Sequence, residues 1–241
     1  LIEFIKINKS FSGKVVLDEI NLQVLKGESL VIIGQSGSGK SVLLKCLLGI
    51  LRPSFGTIFI KDKNFFIQNR IQKEKLLGSF GVAFQGNALF DSLNIWENIA
   101  FKLSQTQSLQ VKNLKEKVDF VLKLVGLSNS IMNLYPSQIS GGMQKRVAIA
   151  RAIIDEPEIL IFDEPTSGLD PVTGSKINNL IIDNVKRLGC TSITITHDMH
   201  SVKKIADNVA MISEGKIIWK GKKSEMMLSK NQKLQEFINE K

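Results

Sequence analysis

The sequence predicts an α/β fold built on a parallel sheet, and three segments carry that prediction. Residues 30–33 form a short apolar run that ends in a glycine-rich loop, and residues 42–48 after the loop have a helical pattern. Residues 158–164 form a second apolar run that ends in two carboxylates, and residues 191–196 form a β-branched run that ends in His197. Short apolar runs that alternate with helical patterns are typical of strands buried in a parallel sheet.

Length and composition limit the classes of protein that the chain can belong to. Its 241 residues are enough for one large α/β domain or two small ones. No apolar run reaches the roughly 18–20 residues that a membrane span needs. Cys46 and Cys190 lie far apart without metal-ligand spacing, which indicates reduced thiols of a cytosolic protein.

The net charge of +9 leaves three interpretations open. A basic chain can bind nucleic acid or lie beside an anionic membrane face. The basic residues are scattered rather than concentrated in one block, so a basic solvated surface without a special partner is the third interpretation.

The remaining elements follow in chain order. Residues 1–30 predict short strands, and Phe11 is expected on a loop between them, where its ring can stack on an adenine or simply pack. Residues 56–60 and 81–85 predict further strands, the second ending at Gln85. The helical patterns over approximately 86–142 predict a helical subdomain inserted in the α/β core, and the alternative is that these helices pack into the same core.

Residues 222–241 predict a C-terminal helical tail. We see no internal repeat and no low-complexity linker, so we expect residues 1–241 to form a single domain.

The glycine-rich loop fits the pattern G-x-x-x-x-G-K-[ST] and predicts a nucleoside-triphosphate site. Its eight positions are Gly34, Gln35, Ser36, Gly37, Ser38, Gly39, Lys40 and Ser41. The glycines let the backbone amides point inward at phosphate oxygens, and the helix that follows adds its positive end. Lys40 then reaches the β- and γ-phosphates, and the Ser41 hydroxyl can ligate Mg²⁺.

Asp163 and Glu164 close a predicted buried strand. Ligands of open α/β sheets bind at the carboxyl ends of strands, so we expect Asp163 to meet the Mg²⁺ on Ser41. Glu164 is the natural group to polarise an attacking water, and the alternative is that it caps the next segment.

Seven features follow one another in a fixed order. They are Phe11, the loop 34–41, Gln85, the segment 139–144 (Ile-Ser-Gly-Gly-Met-Gln), the segment 160–164, the segment 167–170 (Ser-Gly-Leu-Asp) and His197. This order resembles that of the ATP-binding-cassette (ABC) ATPases over essentially the whole chain. Met143 departs from the commonest signature, which has Gln there, and so lacks the amide group of that residue.

The resemblance implies a fold, an activity and a set of site residues. The fold is a P-loop NTPase cassette with a RecA-like parallel-sheet core, an N-terminal antiparallel β subdomain and the inserted α-helical subdomain. The activity is ATP hydrolysis with ATP and Mg²⁺. The catalytic groups are Glu164, His197, Gln85 and Lys40, and the metal ligands are Ser41, Gln85 and Asp163. The nucleotide-binding set adds Phe11, the loop 34–41, Ser140, Gly141, Gly142 and Asp170.

The resemblance also implies partners. In the family two cassettes stack head to tail, so that Ser140, Gly141 and Gly142 of one copy cover the ATP on the loop of the other. Asp170 would lie at that seam, or act as a turn or cap residue before Pro171.

The segment Phe84–Leu103 looks like that of the Mla/Mkl-type ATPases. These work with a membrane permease and an MCE-domain lipid-binding protein in bacterial phospholipid transport. This implies a peripheral protein on the cytoplasmic face of the bacterial inner membrane, with a permease contacted near Gln85–Leu103 and an MCE-domain protein as a further partner. Leu89, Phe90 and Trp96 would receive a helix of the permease, or pack inside the helical subdomain.

Two alternatives to lipid transport remain. One is a transporter for a different solute, such as a nucleotide. The other is a soluble ABC ATPase that acts on nucleic acid or ribosomes. The chain has one cassette and no basic tail with interleaved aromatic residues, so we expect no nucleic-acid partner.

Overall fold

A computed structural model of the protein describes residues 1–106 and 110–239. Its β-strands in chain order are β1 (Ile2–Phe11), β2 (Lys14–Val24), β3 (Ser29–Ile33), β4 (Phe55–Ile60), β5 (Lys63–Asn64), β6 (Phe80–Ala83), β7 (Ile159–Asp163), β8 (Thr191–Ile195), β9 (Asn208–Ser213) and β10 (Lys216–Lys222). Its α-helices are α1 (Lys40–Leu47), α2 (Arg70–Gly78), α3 (Ile95–Thr106), α4 (Val111–Leu124), α5 (Gly141–Ile153), α6 (Pro171–Leu188), α7 (Met199–Ile205), α8 (Lys223–Met226) and α9 (Gln232–Asn239).

The chain divides into two compact units. The first joins the residues up to Ser79 to those from Thr191 onward, and the second spans Phe80–Cys190. That residues 1–241 act as a single ATPase domain stays a prediction. Within the described residues, none of the helices is both long and apolar enough to cross a membrane.

An antiparallel sheet in the first unit confirms the predicted β subdomain. Its strand order is β2-β1-β4-β5, and Ile2 of β1 lies opposite Val24 of β2 and Ile60 of β4. Ile2 and Phe4 are buried while Glu3 and Ile5 between them are exposed, which is the alternation of a strand with one face on the core. Phe11 was expected on a loop and is instead the last residue of β1, because a two-residue turn joins it to Lys14.

A second group of strands in the first unit is mostly parallel. β3 pairs in parallel with both β8 and β9, and β10 pairs antiparallel with β9. All five residues of β3 are buried, as the continuous apolar pattern predicts for a central parallel strand. Ile32 lies opposite Ile195, so the loop after β3 and His197 after β8 emerge at one edge.

The second unit repeats this arrangement with β6 and β7. The two strands are parallel, and Ala83 lies opposite Phe162. Gln85, two residues after β6, and Asp163, the last residue of β7, therefore lie at the same edge of the sheet. The parallel strands and the helices around them confirm the predicted α/β class.

The helical subdomain predicted over 86–142 contains α3, α4, two single turns of 3₁₀ helix and the start of α5. The buried residues of α4 are Leu114, Val118, Val121 and Leu122, which is the apolar face that the sequence predicts. α3 and α4 pack against α5, and α5 packs against β6. In the predicted tail 222–241 the structure has α8 and α9. Residues 107–109 and 240–241 of these segments lie outside the described residues.

Candidate functional site

The glycine-rich loop between β3 and α1 is the first part of the candidate site. Two of its glycines cannot be replaced without collision. A Cβ on Gly34 would lie 2.2 Å from the carbonyl oxygen of Ile212, and one on Gly39 would lie 2.9 Å from the carbonyl oxygen of Val16. Both glycines also have positive φ angles, 151° and 111°, which residues with a Cβ rarely adopt. The loop is therefore held close against the surrounding backbone in a conformation that needs glycine.

Lys40 and Ser38 direct polar groups into this loop. The Lys40 ammonium donates to the carbonyl oxygens of Gly34 and Gln35 at 2.7 and 2.8 Å, and the side chain is buried. Ser38 Oγ is buried and has no hydrogen-bond partner among the described residues. Buried hydroxyl groups in protein cores usually have a hydrogen-bond partner. The free donor of Ser38 Oγ therefore suits a site that binds an anion.

The N-terminus of α1 points positive backbone charge at the same loop. Gly39 is the residue before the helix and provides no side-chain cap, and the first turn contains no acidic residue. The first amide groups of a helix carry a partial positive charge that stabilises a phosphate. Ser41 lies in this first turn with its side chain exposed, so its hydroxyl is available to a ligand.

Phe11 and His197 are the other site residues of the first unit. Phe11 is 43 % exposed, and the Lys9 ammonium lies 5.0 Å from the centre of its ring. Phe11 is therefore partly exposed, with a cation beside its ring. His197 is exposed at the end of β8, and Asp198 next to it caps α7 by accepting from the amides of His200 and Ser201.

Asp163 and Glu164 occupy the corresponding edge of the second unit. Asp163 is the last residue of β7 and Glu164 follows it with a positive φ of 49°. This left-handed conformation is strained for a glutamate. Glu164 is 8 % exposed, and its carbonyl oxygen accepts from the amide of Ser167. The structure thus places Gln85, Asp163 and Glu164 along one edge.

Lys145 is a basic group near Glu164, and no sequence motif identifies it as a site residue. Burial lowers the pKa of Lys145, and the negative charge of Glu164 acts in the opposite direction. Lys145, in the first half of α5, is therefore a positively charged group near Glu164.

The signature segment forms the start of α5. Ser140 precedes the helix and its Oγ accepts from the amide of Met143 at 3.3 Å, while Gly141 and Gly142 form the first turn. A Cβ on Gly141 would meet nothing within 4 Å, whereas one on Gly142 would touch Thr173 of α6 at 3.4 Å. Gly141 and Gly142 therefore add no side chain of their own to the positive end of α5, which Ser140 caps.

Asp170 has the capping role that the sequence offered as one of two interpretations. Its Oδ1 accepts from the amides of Val172 and Thr173 at 3.0 Å each, ahead of Pro171 at the first position of α6. A hydrogen bond from the Thr173 side chain, together with those from the amides, lowers the pKa of Asp170. A role of Asp170 toward nucleotide stays a prediction.

The segment after Gln85 presents aromatic rings at the surface. Phe90 and Phe101 have their ring centres 4.6 Å apart and are 43 % and 37 % exposed. We call them the Phe90–Phe101 pair. Leu89 and Trp96 are half-buried, and the Lys115 ammonium lies 5.0 Å from the centre of the Trp96 ring. Phe90 is thus available to a partner, and Leu89 and Trp96 pack partly within the unit.

Sequence reasoning missed two residues that support this segment. Asn98 is fully buried and bonds to the loop 90–94; its spacing from Ile95 on a helix places it on the buried face, so periodicity could have identified it. Arg151 donates to the carbonyl oxygens of Asn87 and Ala88. No sequence signal identifies that contact, because any residue supplies a carbonyl oxygen.

The predicted metal ligands Ser41 and Asp163 each carry oxygen atoms, the ligand type that Mg²⁺ takes. Among the described residues no group of three or more His, Cys, Asp or Glu side chains could hold a metal ion. Mg²⁺ prefers oxygen ligands and is commonly bound by one or two protein groups together with phosphate oxygens and water. The Ser41 hydroxyl and the Asp163 carboxylate are oxygen donors of this kind.

Proteins with similar sequences cover the whole chain. The methionine import ATP-binding protein MetN of Clostridium tetani is 39% identical over 240 residues, which are 100% of this chain and 75% of that protein. The chloroplastic protein TRIGALACTOSYLDIACYLGLYCEROL 3 of Arabidopsis thaliana is 36% identical, over 98% of this chain and 73% of that one. A probable ribonucleotide transport ATP-binding protein, mkl, of Mycobacterium leprae is 34% identical, over 99% of this chain and 68% of that one.

Solved structures and a family profile agree with these relatives. One similar structure is a dimeric ATP-binding cassette in a post-hydrolysis state bound to ADP and Pi (TM-score 0.84, 28% identity, 92% of this chain and 98% of that one). Another is cbiO1 from Clostridium perfringens, part of the ABC transporter complex cbiONQ (TM-score 0.84, 34% identity, 95% and 91%). Residues 17–167 match the profile of the family described as ABC transporter. The chain belongs to this family, as its ATP-binding and ATP-hydrolysing cassette.

Proposed function

We propose that this cassette energises a bacterial inner-membrane transporter for phospholipid or another hydrophobic substrate. It would act as a head-to-tail homodimer, peripheral on the cytoplasmic face, with the permease docked near Gln85–Leu103. The observation that carries the proposal is the exposed Phe90–Phe101 pair in the segment that follows Gln85. Exposed aromatic residues that lie together mark interaction surfaces more often than chance exposure does.

Nucleotide binding is assigned to the loop 34–41 and to Phe11. Inward-facing amides, the Ser38 hydroxyl and the positive end of α1 hold the phosphates, and the ring of Phe11 stacks on the adenine. Lys40 exchanges its bonds to Gly34 and Gln35 for bonds to the β- and γ-phosphates. Charge-assisted bonds to phosphate are stronger than bonds to neutral carbonyl groups, which favours this exchange.

Hydrolysis is assigned to Glu164, His197 and Gln85. Glu164 accepts the proton of the attacking water, and Lys145 places a positive charge near it. His197 contacts the γ-phosphate, and Gln85 orients the water. Ser41, Asp163 and Gln85 would hold Mg²⁺, and a bound Mg²⁺ would supply positive charge to the phosphate oxygens.

The dimer follows from the exposed start of α5. Ser140, Gly141 and Gly142 form a helix N-terminus with a serine cap and two glycines, which suits the γ-phosphate of an ATP bound to a second copy. Asp170 would lie at the same seam. The similar cassette bound to ADP and Pi is itself dimeric, which supports this arrangement.

The lipid substrate rests on the resemblance of Phe84–Leu103 to the Mla/Mkl-type ATPases. The Arabidopsis relative, named for a galactolipid, supports it. An MCE-domain protein would then complete the complex. Methionine import is the second candidate, because MetN of Clostridium tetani is equally similar over the full chain. The name of the Mycobacterium leprae relative keeps nucleotide transport as a third substrate class.

The experiment is affinity purification of the tagged chain from gently solubilised membranes, with Phe90→Asp and Phe120→Asp compared with wild type. Phe120 lies on α4 and is 53 % exposed, so it controls for adding a charge to an exposed ring position. We expect a multi-span permease and an MCE-domain protein with wild type and with Phe120→Asp, and neither with Phe90→Asp.

Other outcomes of the purification would change the proposal in different ways. A permease that comes with a methionine-binding protein would replace the lipid by methionine and keep the docking surface. Equal recovery with Phe90→Asp would remove the Phe90–Phe101 pair from the interface. Recovery of ribosomes or DNA alone, lost at high salt, would overturn the transport function.

A further inference from the structure

The turn after Gln85 has an unusual backbone. Asn87 and Ala88 both have positive φ angles, 59° and 48°, and neither is glycine. The amide of Asn87 donates to the carbonyl oxygen of Phe84 at 2.9 Å, and that of Ala88 to the carbonyl oxygen of Gly86 at 2.6 Å. Two adjacent residues in the left-handed region are costly when each has a Cβ. Such a turn persists only where its surroundings hold it.

Arg151 is one of the groups that hold the turn. Its Nη1 donates to the carbonyl oxygen of Ala88 and its Nη2 to that of Asn87, each at 2.6 Å. The two amino groups of a guanidinium lie in one plane, so they match two neighbouring carbonyl oxygens as a lysine cannot. Burial lowers the pKa of Arg151, yet an arginine remains charged at neutral pH. Within residues 1–106 and 110–239 Arg151 has no carboxylate partner, so these two carbonyl dipoles balance its charge.

Gln144 provides a second link. Its Oε1 accepts from Asn87 Nδ2 at 3.4 Å, and its Nε2 donates to the carbonyl oxygen of Pro136 at 2.9 Å. Pro136 lies just before the signature segment. Gln144 therefore connects the turn to the backbone on which Ser140 is placed.

Arg151 and Gln144 lie in the same helix, α5, which Ser140 caps. Gln144 is in its first part and Arg151 in its last turn. A helix that is hydrogen-bonded throughout transmits a displacement along its axis with little deformation. The turn after Gln85 is thus attached at two points to the element that begins at Gly141.

We propose that Arg151 and Gln144 are positioning residues that make the turn 86–88 and the signature helix α5 move together. A displacement of the turn by a docked permease would then reach Ser140, Gly141 and Gly142 through α5. This inference rests on the proposed function, because it assigns a route between the permease surface and the γ-phosphate contact of the second copy.

The test is hydrogen exchange of the full chain with and without Mg²⁺-ATP, for wild type, Arg151→Lys and Arg146→Lys. Arg146 is the matched control, since it lies on α5 and donates to Gly126 rather than to the turn. In Arg151→Lys we expect the amides of 86–90 to exchange about tenfold faster than in wild type, the order expected for one lost charge-assisted bond. The ATP-dependent change of exchange at 86–90 should disappear, while the change at 34–41 should remain. Arg146→Lys should match wild type at 86–90.

Three outcomes separate this inference from the proposed function. Wild-type exchange at 86–90 in Arg151→Lys, or an equal effect of Arg146→Lys, would overturn the inference. Absence of any ATP-dependent protection at 34–41 in wild type would instead overturn the nucleotide site.

If Arg151→Lys does not fold, the same exchange measurement on Gln144→Met tests the inference. It retains the side-chain volume and removes both amide bonds, so it should speed exchange at 86–90 about threefold, the order of one neutral hydrogen bond. No change in Gln144→Met would also overturn the inference.

Discussion

Asn98 holds both backbone groups of Phe90. Its Oδ1 accepts from the amide of Phe90 at 2.7 Å, and its Nδ2 donates to the carbonyl oxygen of Phe90 at 3.0 Å. The same Nδ2 lies within hydrogen-bond distance of the carbonyl oxygens of Leu93 and Asn94. One fully buried amide therefore fixes the loop that carries the exposed ring of Phe90.

Asn98→Ala should lower the free energy of unfolding by about 2–3 kcal/mol, because it leaves buried backbone groups without partners. Urea unfolding followed by circular dichroism measures the change. Asn113→Ala, an exposed asparagine on α4, is the control and should change the stability by less than about 0.5 kcal/mol. Equal stability of the two variants would show that the loop does not depend on Asn98.

The carboxylate of Asp198, next to His197, should make the free energy of unfolding depend on pH. Burial raises the pKa of Asp198, but hydrogen bonds from the Ser201 hydroxyl and from the amides of His200 and Ser201 outweigh it, so the pKa is lowered in the folded state. The stabilisation from this carboxylate is therefore complete above the ordinary aspartate value of 3.8, and it is lost as the pH falls through the lower folded value.

Asp198→Ala should cost about 1 kcal/mol at pH 7, as for other N-cap residues. The difference from wild type should shrink in acid, because both proteins then lack the ionised cap. Thermal unfolding from pH 7 down to pH values below 3.8 tests this. Asp198→Asn retains an acceptor at the cap without the titration. A wild-type advantage that persists unchanged in acid would contradict the assignment.

Lys40→Met should weaken ATP binding roughly thirtyfold, which corresponds to the loss of about 2 kcal/mol from a charged hydrogen bond. Methionine approximates the length of the buried lysine stem and removes only the ammonium. Binding of a fluorescent ATP analogue measures the effect. Lys45→Met is the control, because Lys45 lies on the same helix with its side chain exposed. Equal affinities of the two variants would remove Lys40 from the phosphate site.

The parts of the site that the sequence predicted are those that depend on local pattern. Gly34 to Ser41 are contiguous, and the strands before Gln85, Asp163 and His197 are recognisable from their apolar runs alone. Parallel pairing then brings Gln85 and Asp163 to one edge without further information. The prediction of a loop at Phe11 is wrong, because the sequence does not show where a strand ends and a two-residue turn begins.

The contacts that the sequence could not predict join distant segments through groups common to every residue. Arg151 lies 63 and 64 residues from the carbonyl oxygens that it binds. These oxygens belong to the backbone, so the contact does not use the side chains of Asn87 and Ala88. The left-handed backbone of Ala88 could not be predicted from the sequence either, because alanine ordinarily disfavours that conformation. Such contacts arise from tertiary packing and leave no local signal.

Glu164→Gln should retain ATP binding and lower kcat about 10²–10³-fold, because an amide cannot accept the proton of the attacking water. The amide has the shape of the carboxylate, so the strained backbone of Glu164 and its buried surroundings should persist. With hydrolysis blocked, Mg²⁺-ATP should hold the chain as a dimer in size-exclusion chromatography. Glu158→Gln, exposed just before the opposite end of β7, should hydrolyse ATP like wild type and dissociate. Wild-type turnover by Glu164→Gln would assign the base to another residue, and monomeric Glu164→Gln with bound ATP would overturn the head-to-tail dimer.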